Sequence, residues 1–185
     1  MNYINKYNSP LGIINLRSDG EYLTGLWFEG SYDNNKNKEN SIEKELEIFN
    51  ETKKWLDIYF SGINPNFTIN IKSLNETPFR KMVNDIMTTI PYGKTMTYGE
   101  ISSLIAKKKS IKKMSSRAVG HAVGSNNICI IIPCHRVVGK NGNLTGYGGG
   151  IKNKIELLKL EHNDMSNFII PKKGNKLWKD VNGAI

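Results

Sequence analysis

The chain has 185 residues, with 26 basic against 17 acidic side chains and a formal net charge of +9. Its first ten residues are polar and it holds no long apolar run, so we expect neither a secretory signal nor a membrane span. Two cysteines and three histidines give no recognisable zinc cluster, and the cysteines are poorly placed for a disulfide, so we expect no metal and a reducing compartment: the cytoplasm, or the nucleus in a eukaryote.

The two halves of the chain differ in charge. Residues 1–75 carry 8 basic and 10 acidic side chains, a net charge of −2, whereas residues 76–185 carry 18 and 7, a net charge of +11. A basic balance of this size favours a polyanionic partner for the second half. Its lysine blocks, 107–109 and 112–113, are predicted to contact phosphates.

The first half predicts a small α/β domain over residues 1–75. Runs rich in β-formers at 11–17 and 22–28 flank Asp19-Gly20, a strong hairpin signal. A polar loop at 31–40 precedes helical spacing over 42–60, and 67–71 reads as a further short strand. No residue of this half suggests chemistry, so its role is predicted to be structural.

The second half predicts a helix-turn-helix with a wing over residues 76–165. Helices are expected at 78–90, from 98 to about 106, at 117–124 and at 151–161. Their starts are marked by N-cap residues, and the second helix has a capping box: Thr77, Thr97 with Glu100, and Ser115 or Ser116. A Gly-rich hairpin is expected near 146–150, and residues 166–185 form a basic extension of unknown role.

A buried strand at 128–132 is predicted to deliver a nucleophile. Proline at 133 ends the strand, so Cys134 would sit at its end with His135 and Arg136 beside it. A thiol near neutral pH needs a base or a positive neighbour to react, and either residue could provide it. A cysteine hydrolase remains open from these residues alone, although it would need direct contact between His135 and the thiol.

The motif Pro-Cys-His-Arg-Val at 133–137 resembles the active-site pentapeptide of the O6-alkylguanine-DNA alkyltransferases, also called methylated-DNA–protein-cysteine methyltransferases. The resemblance covers residues 78–161 through the segments 91–100, 117–120, 146–150 and 157–161, and is weaker at 9–12 and 59–62. It implies an RNase-H-like amino-terminal domain followed by a winged-helix-like catalytic domain, overall of the α/β (α+β) class. The implied activity is irreversible, stoichiometric transfer of the alkyl group of O6-methylguanine, and possibly O4-methylthymine, to Cys134.

The resemblance also implies roles for individual residues. The catalytic group is Cys134, His135, Glu161 and Tyr98, with a relay from Glu161 through His135 and a water to the thiol. The DNA-binding group is Arg117, Ala118, Gly120, Tyr98 and Arg136, acting in the minor groove while the damaged base is flipped out. The substrate-binding group is Tyr147, Gly148, Asn126 and Val137. The implied partner is double-stranded DNA containing O6-alkylguanine, bound by a monomer without any cofactor.

Three positions depart from the family pattern: Asn84 stands where many relatives have tryptophan, Asn127 replaces a common proline, and Cys129 occupies a pocket-side position. These departures affect helix packing and pocket shape but remove no catalytic group. The alternative from another class is a winged-helix regulator or damage sensor that binds alkylated DNA without repairing it. Retention of Cys134 argues against that alternative.

Overall fold

The computed structural model describes residues 1–31 and 41–170. The chain divides into two units, the first comprising Met1–Asn75 with Asn127–Ile131 and the second Glu76–Asn126 with Ile132–Ile185. Five residues from the second half of the sequence, 127–131, thus belong to the first unit, which the predicted division after residue 75 does not include. The predicted loop at 31–40 and most of the predicted extension lie outside the described residues.

The first unit is built on a four-stranded sheet in the order β3-β2-β1-β4. Its strands are β1 (Asn2–Ser9), β2 (Gly12–Ser18), β3 (Leu23–Phe28) and β4 (Ser41–Glu43). The predicted hairpin between β2 and β3 is confirmed. β1, which pairs antiparallel with β2 and parallel with β4, was not predicted, because its side chains are mostly polar.

Helix α1 (Glu47–Phe60) contributes buried apolar side chains to the core of the first unit. It begins five residues later than the periodicity predicts, since 41–43 forms β4. The strand predicted at 67–71 is wrong, because only Ile71 makes an isolated bridge, to Leu23. The fully buried side chains include Ile14, Leu16, Leu26, Phe49, Leu56 and Tyr59.

The second unit contains four α-helices among its described residues, and the first three start at the predicted caps. They are α2 (Pro78–Thr88), α3 (Tyr98–Lys108), α4 (Ser116–Gly124) and α5 (Ile151–Leu160). The Thr77 side chain accepts from the Arg80 N–H, Thr97 and Glu100 form the capping box, and Ser115 accepts from the Ala118 N–H. Within residues 1–31 and 41–170, none of the helices has the length and apolarity that a membrane crossing requires.

The strand predicted at 128–132 is wrong, although its burial is right. Ile128 makes a single parallel bridge to Leu26, and the chain then turns, with Ile130 at φ +70°. Both isoleucines are buried. The Gly-rich hairpin is also wrong: β6 (Val137–Val138) pairs instead in parallel with β5 (Met96–Thr97).

The described part of the predicted extension packs on the second unit. Met165 and Phe168 contact a buried cluster of Val138, Leu144, Ile151 and Leu158. The backbone of Ile169 completes this packing, since the Leu144 N–H donates to its carbonyl at 3.0 Å and its own N–H donates to Gly142 O at 3.1 Å. Residues 165–169 therefore pack against the buried cluster and hydrogen-bond to the loop that follows β6.

Candidate active site

Cys134 opens a short 3₁₀ helix, Cys134–Arg136, directly after Pro133. Its thiol is buried, and the Asn126 side-chain amide donates to Sγ at 3.0 Å and to Ile132 O at 2.9 Å. An N–H donor aimed at sulfur favours the anionic thiolate over the neutral thiol. Asn126, predicted as a substrate-binding residue, therefore holds the sulfur in position and favours its thiolate form.

His135 and Glu161 form a buried pair, with Nε2 of the imidazole 2.7 Å from Oε1 of the carboxylate. Burial alone would raise the pKa of Glu161, but the hydrogen bonds and charges of His135 and Arg136 outweigh burial and lower this pKa to about 2. The pKa of His135 lies below its usual 6.5, first because burial penalises the imidazolium ion. The imidazole is therefore neutral near pH 7.

The neutral state of His135 fixes its tautomer. A carboxylate only accepts hydrogen bonds, so Nε2 carries the proton and donates it to Glu161. Nδ1 then carries the lone pair and is the nitrogen that can accept a proton. Because the chain at Cys134 is a 3₁₀ helix, the strand-based argument for an intervening water does not apply, and the water between His135 and the thiol stays a prediction.

Arg136 is buried rather than exposed. Its guanidinium is buried, and it binds Glu161 through three hydrogen bonds of 2.9–3.1 Å and donates to Ile90 O at 2.7 Å. It also lies over the ring of Tyr92, 5.7 Å from its centroid. Arg136 thus holds the carboxylate of Glu161, and its assignment to DNA binding stays a prediction.

Tyr98 and Lys154 meet at one backbone carbonyl. The Tyr98 hydroxyl donates to Thr145 O at 3.3 Å, and Lys154 Nζ donates to the same oxygen at 3.2 Å and to Val137 O at 2.5 Å. Burial, and then the charge of Cys134, raises the pKa of Tyr98 to about 12, so the phenol keeps its proton near pH 7.

Sequence reasoning missed Lys154. Its position carried a signal, however, because residue 154 falls on the apolar stripe formed by Ile151, Ile155 and Leu158 of α5. A lysine at helical spacing within such a stripe must be buried or must extend its ammonium group away from the core. In this protein the side chain is fully buried.

The start of α4 and the start of α3 line an open cleft of about 500 Å³. Its lining includes Tyr98, Arg117 and Gly120, and Arg117 is exposed at its rim. A Cβ added at Gly120 would lie 3.9 Å from the Tyr98 ring, in ordinary contact, so the glycine leaves the helix surface open. Ala118 is half-buried beside it. The structure thus brings together the predicted DNA-binding residues of α4 with Tyr98.

The loop after β6 presents the predicted substrate-binding residues unequally. Gly148 is exposed with open space around it, whereas Tyr147 is buried. Gly146, at φ +63°, passes close to Tyr98, since an added Cβ would lie 3.3 Å from the Tyr98 hydroxyl. The side chain of Val137 is fully buried and its carbonyl accepts from Lys154 Nζ, so its assignment to substrate binding stays a prediction.

Comparisons with known proteins show which family this chain resembles in sequence. Residues 78–163 match the family model "6-O-methylguanine DNA methyltransferase, DNA binding domain", and residues 2–73 match "6-O-methylguanine DNA methyltransferase, ribonuclease-like domain". The methylated-DNA–protein-cysteine methyltransferase of Methanosarcina acetivorans is 41% identical over 84% of this chain and 95% of its own. That of Haemophilus influenzae is 40% identical over 86% of both chains.

Solved structures show the same similarity. The Mycobacterium tuberculosis O6-methylguanine methyltransferase superposes with a TM-score of 0.75 at 38% identity, covering 87% of this chain and 93% of that one. The M. tuberculosis OGT in complex with DNA gives a TM-score of 0.74 at 35% identity, covering 90% of this chain and 94% of that one.

Proposed function

Because the chain belongs to the 6-O-methylguanine DNA methyltransferase family, we propose that it repairs DNA by moving the alkyl group of O6-alkylguanine onto its own Cys134. The observation that carries this assignment is the surroundings of one thiol. Within the second unit, Cys134 receives an amide donor from Asn126 and has an oriented, neutral histidine as its neighbour in the chain.

The displacement needs a sulfur lone pair and a leaving oxygen. The Cys134 lone pair forms the Sγ–C bond while the C–O6 bond breaks, its electron pair passes to the guanine, and the base takes up one proton. Where Cys134 still carries its proton, Nδ1 of His135 is the atom that can accept it through a water, and Glu161 with Arg136 holds the imidazole in that tautomer. Tyr98, neutral and close to Gly146 O, is the donor placed beside the pocket that receives the base.

The alkylated base must leave the duplex before the thiol can reach it, at a cost of a few kcal/mol. We assign that step to α4, lying in the minor groove, with the exposed Arg117 filling the space that the base vacates. Half-buried Ala118 and Gly120 leave the helix backbone close to the DNA. The exposed lysines at 107–109 and 112–113, at the end of α3 and in the turn that follows it, add phosphate contacts. The protein acts as a monomer.

The thioether formed on Cys134 is chemically stable, so each molecule reacts once. Intact-protein and peptide mass spectrometry tests this, after incubation with duplex DNA that contains a single O6-methylguanine. We expect one CH2 unit per protein, located on Cys134, in the native chain and in a Cys129→Ser variant, and none in Cys134→Ser.

Binding of the methylated duplex without any gain in mass would leave a damage sensor and overturn the assignment. Turnover of many substrates per protein would leave a hydrolytic enzyme. Both alternatives are therefore separated from single-turnover transfer by the same measurement.

A further inference from the structure

Lys154 is a buried cation whose partners are uncharged. Its side chain is 0% exposed, and its ammonium group donates to two backbone carbonyls, Val137 O and Thr145 O. Within residues 1–31 and 41–170, no carboxylate oxygen lies within 4.0 Å of Nζ. Carbonyl dipoles compensate only in part for removing an ammonium ion from water, so a nearby anion is expected.

The other charged groups of the site already balance one another. The guanidinium of Arg136 is bound to the carboxylate of Glu161, and the two charges cancel. His135 between them is neutral near pH 7. Tyr98, which shares the Thr145 carbonyl with Lys154, also stays neutral. Cys134 is the remaining group at this site that can carry the missing negative charge.

The position of Lys154 on the chain fits this pairing. Val137, whose carbonyl accepts the shorter of its two hydrogen bonds, directly follows the 3₁₀ helix that begins at Cys134. The same ammonium group reaches Thr145 on the loop that leads to Tyr147 and Gly148. Burial lowers the pKa of Lys154 to about 8, and the charge of Cys134 opposes that decrease.

We propose that Lys154 is the buried counter-cation of the Cys134 thiolate, a positioning residue that keeps the sulfur ionised before a damaged base arrives. The proposal rests on the proposed function for its consequence in repair. The resting site then holds two neutral pairs, one between Arg136 and Glu161 and the other between Lys154 and Cys134.

Alkylation breaks the second pair. The thiolate lone pair enters the new Sγ–C bond, the guanine takes up one proton, and the sulfur is left as an uncharged thioether. Lys154 keeps its charge but loses its anion, so burying it becomes more costly. The alkylated protein is therefore expected to be less stable than the free protein below the pH at which Lys154 loses its proton.

The first test measures ionisation of the thiol without any DNA. The ultraviolet absorbance of the thiolate is followed against pH in a Cys129→Ser background, as the difference from the matching Cys134→Ser protein. We expect Lys154→Met to move the midpoint upward by on the order of one pH unit, and Lys154→Arg, which keeps the charge, to stay close to the parent. An unchanged midpoint in a folded Lys154→Met protein overturns the proposal.

A second test does not require the methionine variant to fold. Coupling between two charges is reciprocal, so removing the thiolate must make Lys154 lose its proton at lower pH. The lysine side-chain signal is titrated by NMR in the native and Cys134→Ser proteins, and is assigned by its loss in Lys154→Arg. Identical titration curves in the two proteins overturn the proposal.

Methyl transfer from DNA separates this inference from the proposed function. If Lys154 supplies charge, the transfer rate of Lys154→Met recovers as the pH rises and the thiolate forms unaided, whereas a purely structural defect lowers the rate equally at every pH. If the native protein transfers no methyl group, the proposed function fails while both titrations still decide the charge pairing.

Discussion

Cys129 and Cys134 lie five residues apart and are equally buried, at 6% and 5% exposure, yet they belong to different units with different surroundings. Both backbones are hydrogen-bonded, since the Cys129 N–H donates to Leu26 O and the Cys134 N–H to Ile132 O, each at 2.8 Å. The sulfur of Cys134 in addition accepts a hydrogen bond from the Asn126 side-chain amide. Burial alone therefore does not make a thiol reactive or inert, and the polar groups around it decide.

The largest effect is expected from removing the negative charge of Glu161, which is hydrogen-bonded to His135 next to the reactive thiol. Glu161→Gln leaves Arg136 buried without its partner, which costs about 3–5 kcal/mol of unfolding free energy, and lowers transfer about 10²–10⁴-fold. Urea denaturation and single-turnover kinetics measure the two losses. Glu156→Gln is the matched control on α5, since that carboxylate binds Lys159 at the surface. Equal stability of the two variants would contradict the buried ion pair.

Acid should lower the free energy of unfolding, because Glu161 and His135 near Cys134 have lowered pKa values in the folded protein. The pKa of Glu161 is lowered from 4.5 to about 2 on folding, so its stabilisation is complete above pH 4.5 and is lost as the pH falls towards 2, about 3 kcal/mol in all. The lowered pKa of His135 acts in the same direction below pH 6.5. Unfolding free energy measured against pH should fall more steeply in the native protein than in Glu161→Gln. Parallel curves would contradict the assignment.

A smaller effect is expected at the amide that touches the sulfur. Asn126→Ala removes the donor to Cys134 Sγ and leaves Ile132 O without that donor, a loss of about 1–3 kcal/mol that should slow transfer roughly 10-fold or more. The neighbouring Asn127→Ala is the control, because its side chain makes only a 3.4 Å contact to Thr24 O in the first unit. Similar transfer rates for both variants would show that the Asn126 contact has no catalytic role.

The smallest effect is expected at the other cysteine. Cys129→Ser keeps the backbone hydrogen bond to Leu26 and places a hydroxyl in a buried site, which costs about 1 kcal/mol of stability. Transfer should continue at one methyl group per protein, measured by mass spectrometry. A loss of transfer comparable to that of Cys134→Ser would mean that the two thiols are not chemically distinct.

Local signals in the sequence predicted much of this protein. The β2–β3 hairpin, the three N-caps and the motif at 133–137 are each encoded within a few neighbouring residues, and the first two are confirmed. The apolar run at 128–132 correctly indicated burial but not backbone shape, because apolar side chains also fill a buried turn.

Residues whose partners are distant in sequence were harder to predict. Arg136 was assigned to DNA because nothing near it reveals that Glu161, 25 residues later, holds its guanidinium. Lys154 likewise gains its meaning from Val137 and Thr145. Such pairings arise only when the helices are packed, so Cys134 with its His135–Glu161 pair could be predicted through the resemblance, while the partners of Arg136 and Lys154 could not.

Residues 127–131 belong to the first unit although they lie in the second half of the sequence, which restricts where the chain can be cut into fragments that fold. A fragment ending at residue 75 leaves the N–H and C=O of Leu26 without the Asn127 and Cys129 backbone groups that bond them. A fragment starting at residue 76 exposes Ile128 and Ile130 to water just before the nucleophile. The amino-terminal unit, to which we assign no chemistry, is therefore expected to be needed for folding of the segment that leads to Cys134.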